Sequence, residues 1–161
     1  MNRRRLQATF ETMDFDFGQF SLATFVDWIA QRRGKPIELQ PWPSMPRAFS
    51  GLWLSHPETE HIYYADNLPP LLERITILHE LAHILLGHQT LLITEPPRVI
   101  IGRLLQQLDL VQCRSIINPT PEDREAEQLA LLIHHRVLLA QAKIHHPSSP
   151  GTEFLKSLHV F

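Results

Sequence analysis

Cysteine is almost missing from this chain. Cys113 is alone in 161 residues, so no internal disulfide can form and a reducing compartment is expected. Its neighbours Gln112 and Arg114 offer no activating pattern, and the thiol reads as a buried structural group rather than a nucleophile. No window approaches the roughly 20 apolar residues of a membrane span. No secretory leader is legible, because Glu11, Asp14 and Asp16 interrupt the N-terminus before any sufficient apolar run. Concentrated positive charge is also absent: the net charge is −2, and Lys and Arg are scattered apart from Arg3-Arg4-Arg5. That excludes the basic face which direct nucleic-acid binding needs, and the Arg run reads as part of a solvated tail. A cytoplasmic protein of one domain over 1–161 is expected, with 1–19 an N-terminal tail and 147–161 a C-terminal extension. The 43% apolar and 20% charged content fits such a globular domain.

What is present is well punctuated. Ser21 to Arg33 predicts an amphipathic helix, capped by Ser21, with Leu22, Phe25, Val26 and Ile29 on one face and Gly34 ending it. Ile37-Glu38-Leu39 predicts a short strand, stopped by the proline-rich run Pro41 to Pro46. Ala48–Leu54 and His61–Ala65 flank the turn-forming residues 55–59 and predict a β-hairpin, in which Trp53, Tyr63 and Tyr64 pack across strands. Pro69-Pro70 opens a helix from Leu71 to Leu86, closed by Gly87; Leu71, Leu72, Ile75, Leu78, Ala82 and Leu85 supply its apolar stripe. Pro96-Pro97 starts a candidate helix over Val99–Val111, apolar on more than one side. Thr120-Pro121-Glu122 has the chemistry of a helix start, and that helix runs to about Lys143.

Inside the Leu71–Leu86 helix stands His79-Glu80-Leu81-Ala82-His83, an H-E-x-x-H sequence. Histidines at i and i+4 share a helical face and can reach one Zn²⁺. Glu80 can lie beside the metal, take a proton from water that the metal acidifies, and return it to a leaving amine. With 10 His and 11 Glu in 161 residues, chance alone predicts about 0.04 such pentapeptides, so context must carry part of the argument. The context is a mid-helix position, directly after a predicted hairpin. Most of the ten histidines need no special role, and the adjacent pairs His134-His135 and His145-His146 read as surface or helix-end residues.

A catalytic zinc needs a third protein ligand and an open position. Glu122, Asp123, Glu125 and Glu127 cluster at the start of the downstream helix. If Ala126, Leu129, Ala130 and Ile133 form its buried stripe, Glu122, Asp123 and Glu127 share that side and Glu125 points away. Acids in a first turn also complement the helix dipole, a reading that needs no metal.

The stretch from Arg74 to His88, with His79-Glu80-x-x-His83 followed by Leu86-Gly87-His88, resembles the zinc helix of the ImmA/IrrE family of metallopeptidases. Asp123 to Ala130 is similar to that family's acidic-Ala segment, and the resemblance spans roughly residues 20–140. It implies a zincin-like α+β fold: a small antiparallel sheet packed against a central zinc-binding helix and a third-ligand helix. It implies Zn²⁺ held by His79, His83 and Asp123, which lies three residues before Ala126, with Glu80 as general base and Glu127 as partner to a ligand histidine. The family carries Glu at the ligand position, so Glu122 stays as the alternative to Asp123. His88 matches a family position but follows Gly87 and reads as helix-end chemistry off the ligand face. The implied activity is peptide-bond hydrolysis with a protein substrate, specifically a helix-turn-helix repressor. Such a substrate is expected to add as a strand to the edge formed by His61–Ala65. A non-catalytic protein-binding module with a structural zinc is the rival reading, and it would tolerate loss of Glu80.

Overall fold

Local signals set most of the helices. A computed structural model describes residues 3–43, 45–46, 50–102 and 119–145. Its elements run α1 (Arg3–Glu11), a 3-10 turn (Phe17–Gln19), α2 (Leu22–Arg33), β1 (Ile37–Trp42), β2 (Gly51–Ser55), β3 (Glu60–Ala65), α3 (Pro70–Leu86), β4 (Leu91–Leu92) and a last helix, α4 (Pro121–His145). The class is α+β, as expected. Ser21 caps α2 through a reciprocal pair: its hydroxyl accepts from Thr24 N at 3.0 Å, and Thr24 Oγ1 accepts from Ser21 N at 3.0 Å. Gly34 and Gly87 close α2 and α3 in the left-handed region, at φ 75° and 61°, where a side chain would be strained.

The sheet corrects an expectation. It is mixed, not antiparallel, with strand order β1-β3-β2-β4. The β2–β3 hairpin is antiparallel as predicted, and the turn is closed by His56 N to Thr59 O at 2.9 Å. Strand β1, however, pairs parallel to β3 on its other side, and β4 pairs parallel to β2. The physical reason lies in burial. β3 is buried at five of its six positions and suits a centre, whereas β1 is buried at none and contains Pro41, which has no N–H to give a neighbour and suits an edge. β1 also runs on to Trp42, past the proline expected to stop it.

Helix α3 packs on the sheet and α4 packs on α3. Phe25, Ile29, Trp53, Ile62, Leu78 and Leu129 lie in the main core between these layers. Leu54 and Tyr63, which alternate with Trp53 and Ile62, face the opposite side of the sheet and meet Ile93, Ile100 and Ile101. Because α3 is covered on two sides, its buried set is wider than the predicted stripe and adds Thr76, Ile77, Leu81 and Ile84. Leu71 and Leu72, predicted on that stripe, are about half exposed in the first turn.

The N-terminal segment is not a tail. Arg3-Arg4-Arg5 begins α1, Leu6, Met13 and Phe17 are buried in the main core, and the Arg5 guanidinium donates to Leu86 O at the end of α3. Phe15 meets Phe17, Phe20, Phe25 and Trp28 edge-on. The apolar residues are sparse along this segment, but Phe10, Phe15 and Phe17 are among them and each offers a large surface to bury. Residues 97–102 are helical, which begins the predicted Val99–Val111 helix; its remainder, Cys113 and the 147–161 extension lie outside the described residues. No helix among the described residues is long and apolar enough to cross a membrane.

Candidate active site

The i,i+4 spacing on α3 places the imidazoles of His79 and His83 with centroids 4.8 Å apart and Nε2 atoms 3.1 Å apart. Two zinc ligands at about 2.0–2.1 Å in tetrahedral geometry stand about 3.3 Å from each other, so this pair is already at ligand spacing. The packing of α4 on α3 brings the third group. Asp123 Oδ1 lies 3.6 Å from His83 Nε2, and single ligand atoms of His79, His83 and Asp123 all fall within 4.8 Å of one another. Among the described residues this is the one cluster of three such groups able to hold a metal. Two imidazoles and a carboxylate form a donor set that suits zinc with a position left open.

Asp123 divides its oxygens. Oδ2 accepts from Thr120 N and Thr120 Oγ1, each at 2.8 Å, while Asp123 N donates to Thr120 Oγ1 at 3.0 Å. The helix start and the metal face therefore use different atoms of one carboxylate. Burial alone would raise its pKa, but the Thr120 hydrogen bonds and the His83 and His79 rings outweigh that and hold it below the ordinary carboxylate value. Glu122 and Glu127 are exposed and line the cleft wall, outside the cluster.

The cleft has a volume of about 650 Å³ and runs between β2, α3 and the start of α4. Its walls favour the neutral forms of His79 and His83. Burial lowers both; His83 falls to about 4, with the His79 and His88 rings adding to the effect and Asp123 opposing it. Neutral imidazoles keep the lone pairs that a metal requires. Glu80 moves the other way. Burial, helped by the Asp123 charge, pushes its carboxyl up to about 8, and the Trp53 amide that donates to it offsets only part. A divalent cation beside this group would draw it back down.

Glu80 reaches the strand only because residue 51 is glycine. A Cβ there would stand 2.6 Å from Glu80 Oε1 and 2.8 Å from Thr76 Cγ2. The strand above it also corrects the expected substrate edge. His61–Ala65 lies in β3, which is paired on both sides, so it offers no edge. The open edge belongs to β2, which β4 covers only at Leu54 and Ser55. Ser50 O bonds inward to Ala65 N, whereas Trp53 O takes the Thr90 hydroxyl at 2.7 Å and Ser55 O takes Ile93 N at 2.8 Å, both from the outer side. Strand alternation then turns the N–H and C=O of Gly51 outward, into the cleft.

Two residues that sequence reasoning set aside belong to this site. Gly87 turns the chain so sharply that His88 N donates to His83 O at 3.0 Å, and His88 Nδ1 lies 3.0 Å from His83 Nδ1. His88 thus stands behind the ligand face, its ring edge-on to that of His83. Glu125, expected to point away, is buried with Oε2 3.6 Å from His88 Nε2. The signal that could have found His88 was the glycine itself: a left-handed cap folds the next side chain back over the last turn.

No family model, no curated protein and no solved structure matches this chain.

Proposed function

We propose that this chain is a zinc-dependent endopeptidase, with His79, His83 and Asp123 as the metal-binding set and Glu80 as the general base. The observation that carries the proposal is the convergence of three zinc-type donors and a hydrogen-bonded carboxyl beneath an open strand edge. When bound, zinc supplies Lewis-acid chemistry that makes water acidic and polarises a carbonyl. Glu80, oriented by the Trp53 amide, accepts the proton and passes it to the leaving amine. The outward N–H and C=O of Gly51 receive an extended peptide as an added strand, which lays its scissile bond along the cleft. An open cleft beside a strand edge suits an unfolded segment of a protein substrate. The resemblance of Arg74–His88 to the ImmA/IrrE family makes a helix-turn-helix repressor the first substrate to try.

Protein purified without chelator should hold close to one zinc per chain and lose it on His83→Ala. Incubation with the helix-turn-helix protein encoded beside its gene should yield one discrete cleavage that stops on chelation. Unchanged zinc content in His83→Ala refutes the metal site. Equal binding of that protein with no cleavage by wild type favours the non-catalytic binding module instead.

A further inference from the structure

His83 uses both ring nitrogens, and the second one points away from the cleft. Its Nε2 faces His79 Nε2 at 3.1 Å and Asp123 Oδ1 at 3.6 Å, which makes Nε2 the metal-side atom. A neutral imidazole that offers one nitrogen to a metal carries its proton on the other. The proton of His83 therefore sits on Nδ1, 3.0 Å from His88 Nδ1. With that proton on His83, only one arrangement makes the contact a hydrogen bond: His88 Nδ1 accepts, which leaves its Nε2 to carry the ring proton. That Nε2 is buried, has no hydrogen-bond partner at normal distance among the described residues, and has Glu125 Oε2 in front of it at 3.6 Å. The His88 side chain is 4% exposed. The backbone keeps the assembly in place through His88 N to His83 O and through the left-handed turn at Gly87.

We infer that His88 is a positioning residue, which accepts the Nδ1 proton of His83 and, with Glu125 behind it, fixes the tautomer and ring orientation that present His83 Nε2 to the metal. The inference rests on the zinc reading of the cleft and adds to it a carboxylate–imidazole–imidazole chain that runs from α4 through the end of α3. A ligand histidine more often gives its second N–H to a carboxylate or carbonyl directly. Here the ring of His88 has His83 Nδ1 at one nitrogen and Glu125 of α4 facing the other. The chain also uses α4 twice, once at Asp123 on the cleft side and once at Glu125 behind it. Docking of one helix therefore sets both faces of the His83 ring.

The test is the zinc affinity of the full chain, measured by chelator competition, together with the visible spectrum of the cobalt-substituted protein. His88→Phe keeps the ring volume and removes the acceptor; it should weaken zinc binding about 10–100-fold and alter the cobalt bands. His88→Asn places an amide oxygen where Nδ1 stands, and should retain most of the affinity and the wild-type cobalt spectrum. Glu125→Gln, which leaves an acceptor but no charge, should fall between them. Wild-type affinity in His88→Phe overturns the inference, as does an equal loss in the Phe and Asn variants, which would reduce His88 to packing. A wild-type chain that binds no zinc overturns the metal site and this inference together. Zinc binding with no difference among the variants overturns this inference alone.

Discussion

Two glutamates flank Trp53, and their surroundings drive them in opposite directions. Glu60, at the start of β3, is fully buried, yet it accepts from Trp53 Nε1 at 2.8 Å and from Arg33 Nε at 3.0 Å, with Lys35 Nζ also 3.0 Å away. Burial would raise its pKa, but donors from Trp53, Lys35, Ser55 and Arg33 together hold it below 4.5. Glu80, on α3, accepts from a backbone amide of the same tryptophan, meets no cation among the described residues, and rises to about 8. Glu60 is an anchor saturated by donors at the Trp53 indole, whereas Glu80 takes one amide from the backbone of the same residue and is pushed toward its neutral form by burial. A buried carboxylate rich in donors stabilises a fold, and an acid whose surroundings raise its pKa beside a cleft is a candidate for function.

The largest effect expected from this contrast is on rate. Glu80→Gln preserves shape and the Trp53 hydrogen bond but cannot accept a proton. On the proposed peptidase reading, cleavage should fall on the order of 10²–10⁴-fold at matched zinc content and melting temperature. An unchanged rate would remove Glu80 from the mechanism.

Glu60 should show the reverse pattern: loss of stability with the cleft intact. Glu60→Ala strands the Trp53 N–H and two part-buried cations, at a cost of about 3 kcal/mol in denaturant unfolding. Because the folded pKa of Glu60 is depressed, its contribution is complete above the unfolded value near 4.5 and is lost as pH falls through the lower folded one. The stability gap between wild type and Glu60→Ala should therefore close only in that acid range. A gap that instead widens on acidification would contradict the saturated-anchor reading.

Gly51→Ala probes the boundary between the two regions. A methyl group 2.6 Å from Glu80 Oε1 forces the carboxylate or the strand to move. The cost should be about 1–3 kcal/mol, with a loss of cleavage larger than the stability change explains. Wild-type activity in this variant would mean that Glu80 works from a different rotamer.

How legible this was differs by kind of signal. The helix carrying His79, Glu80 and His83 announces itself through Pro70, Gly87 and i,i+4 spacing, all local, and the start of α4 does so through Thr120 and Pro121. Asp123 could be named from a resemblance, but its approach to His83 depends on how α4 packs on α3, which no spacing encodes. Strand order failed for the same reason. The hairpin is a local object, whereas the insertion of β3 between β1 and β2 is settled by which strand can be buried on both edges. His88 and Glu125 were misplaced because helical-face logic was carried past Gly87 in one case, and in the other rested on the apolar stripe alone. The aromatic N-terminal segment was discounted because its apolar residues are few, although Phe10, Phe15 and Phe17 are large.

The smallest expected effect falls on Asp123, which combines both kinds of carboxylate in one side chain: Oδ2 is satisfied by Thr120, and Oδ1 is aimed at the histidines. Thr120→Ala removes the hydroxyl that accepts from Asp123 N and donates to Oδ2, and leaves the Thr120 backbone N–H in place. Loss of such a cap costs about 1 kcal/mol of stability. If the cap serves only the helix, zinc affinity should not change. If it also holds the carboxylate in the orientation that offers Oδ1, affinity should fall by a factor of a few, well short of the loss in Asp123→Ala. We expect the second result, because the two oxygens are rigidly joined and freeing one frees the other. A Thr120→Ala protein that is destabilised but binds zinc with full affinity would show that α4 packing alone sets the third donor.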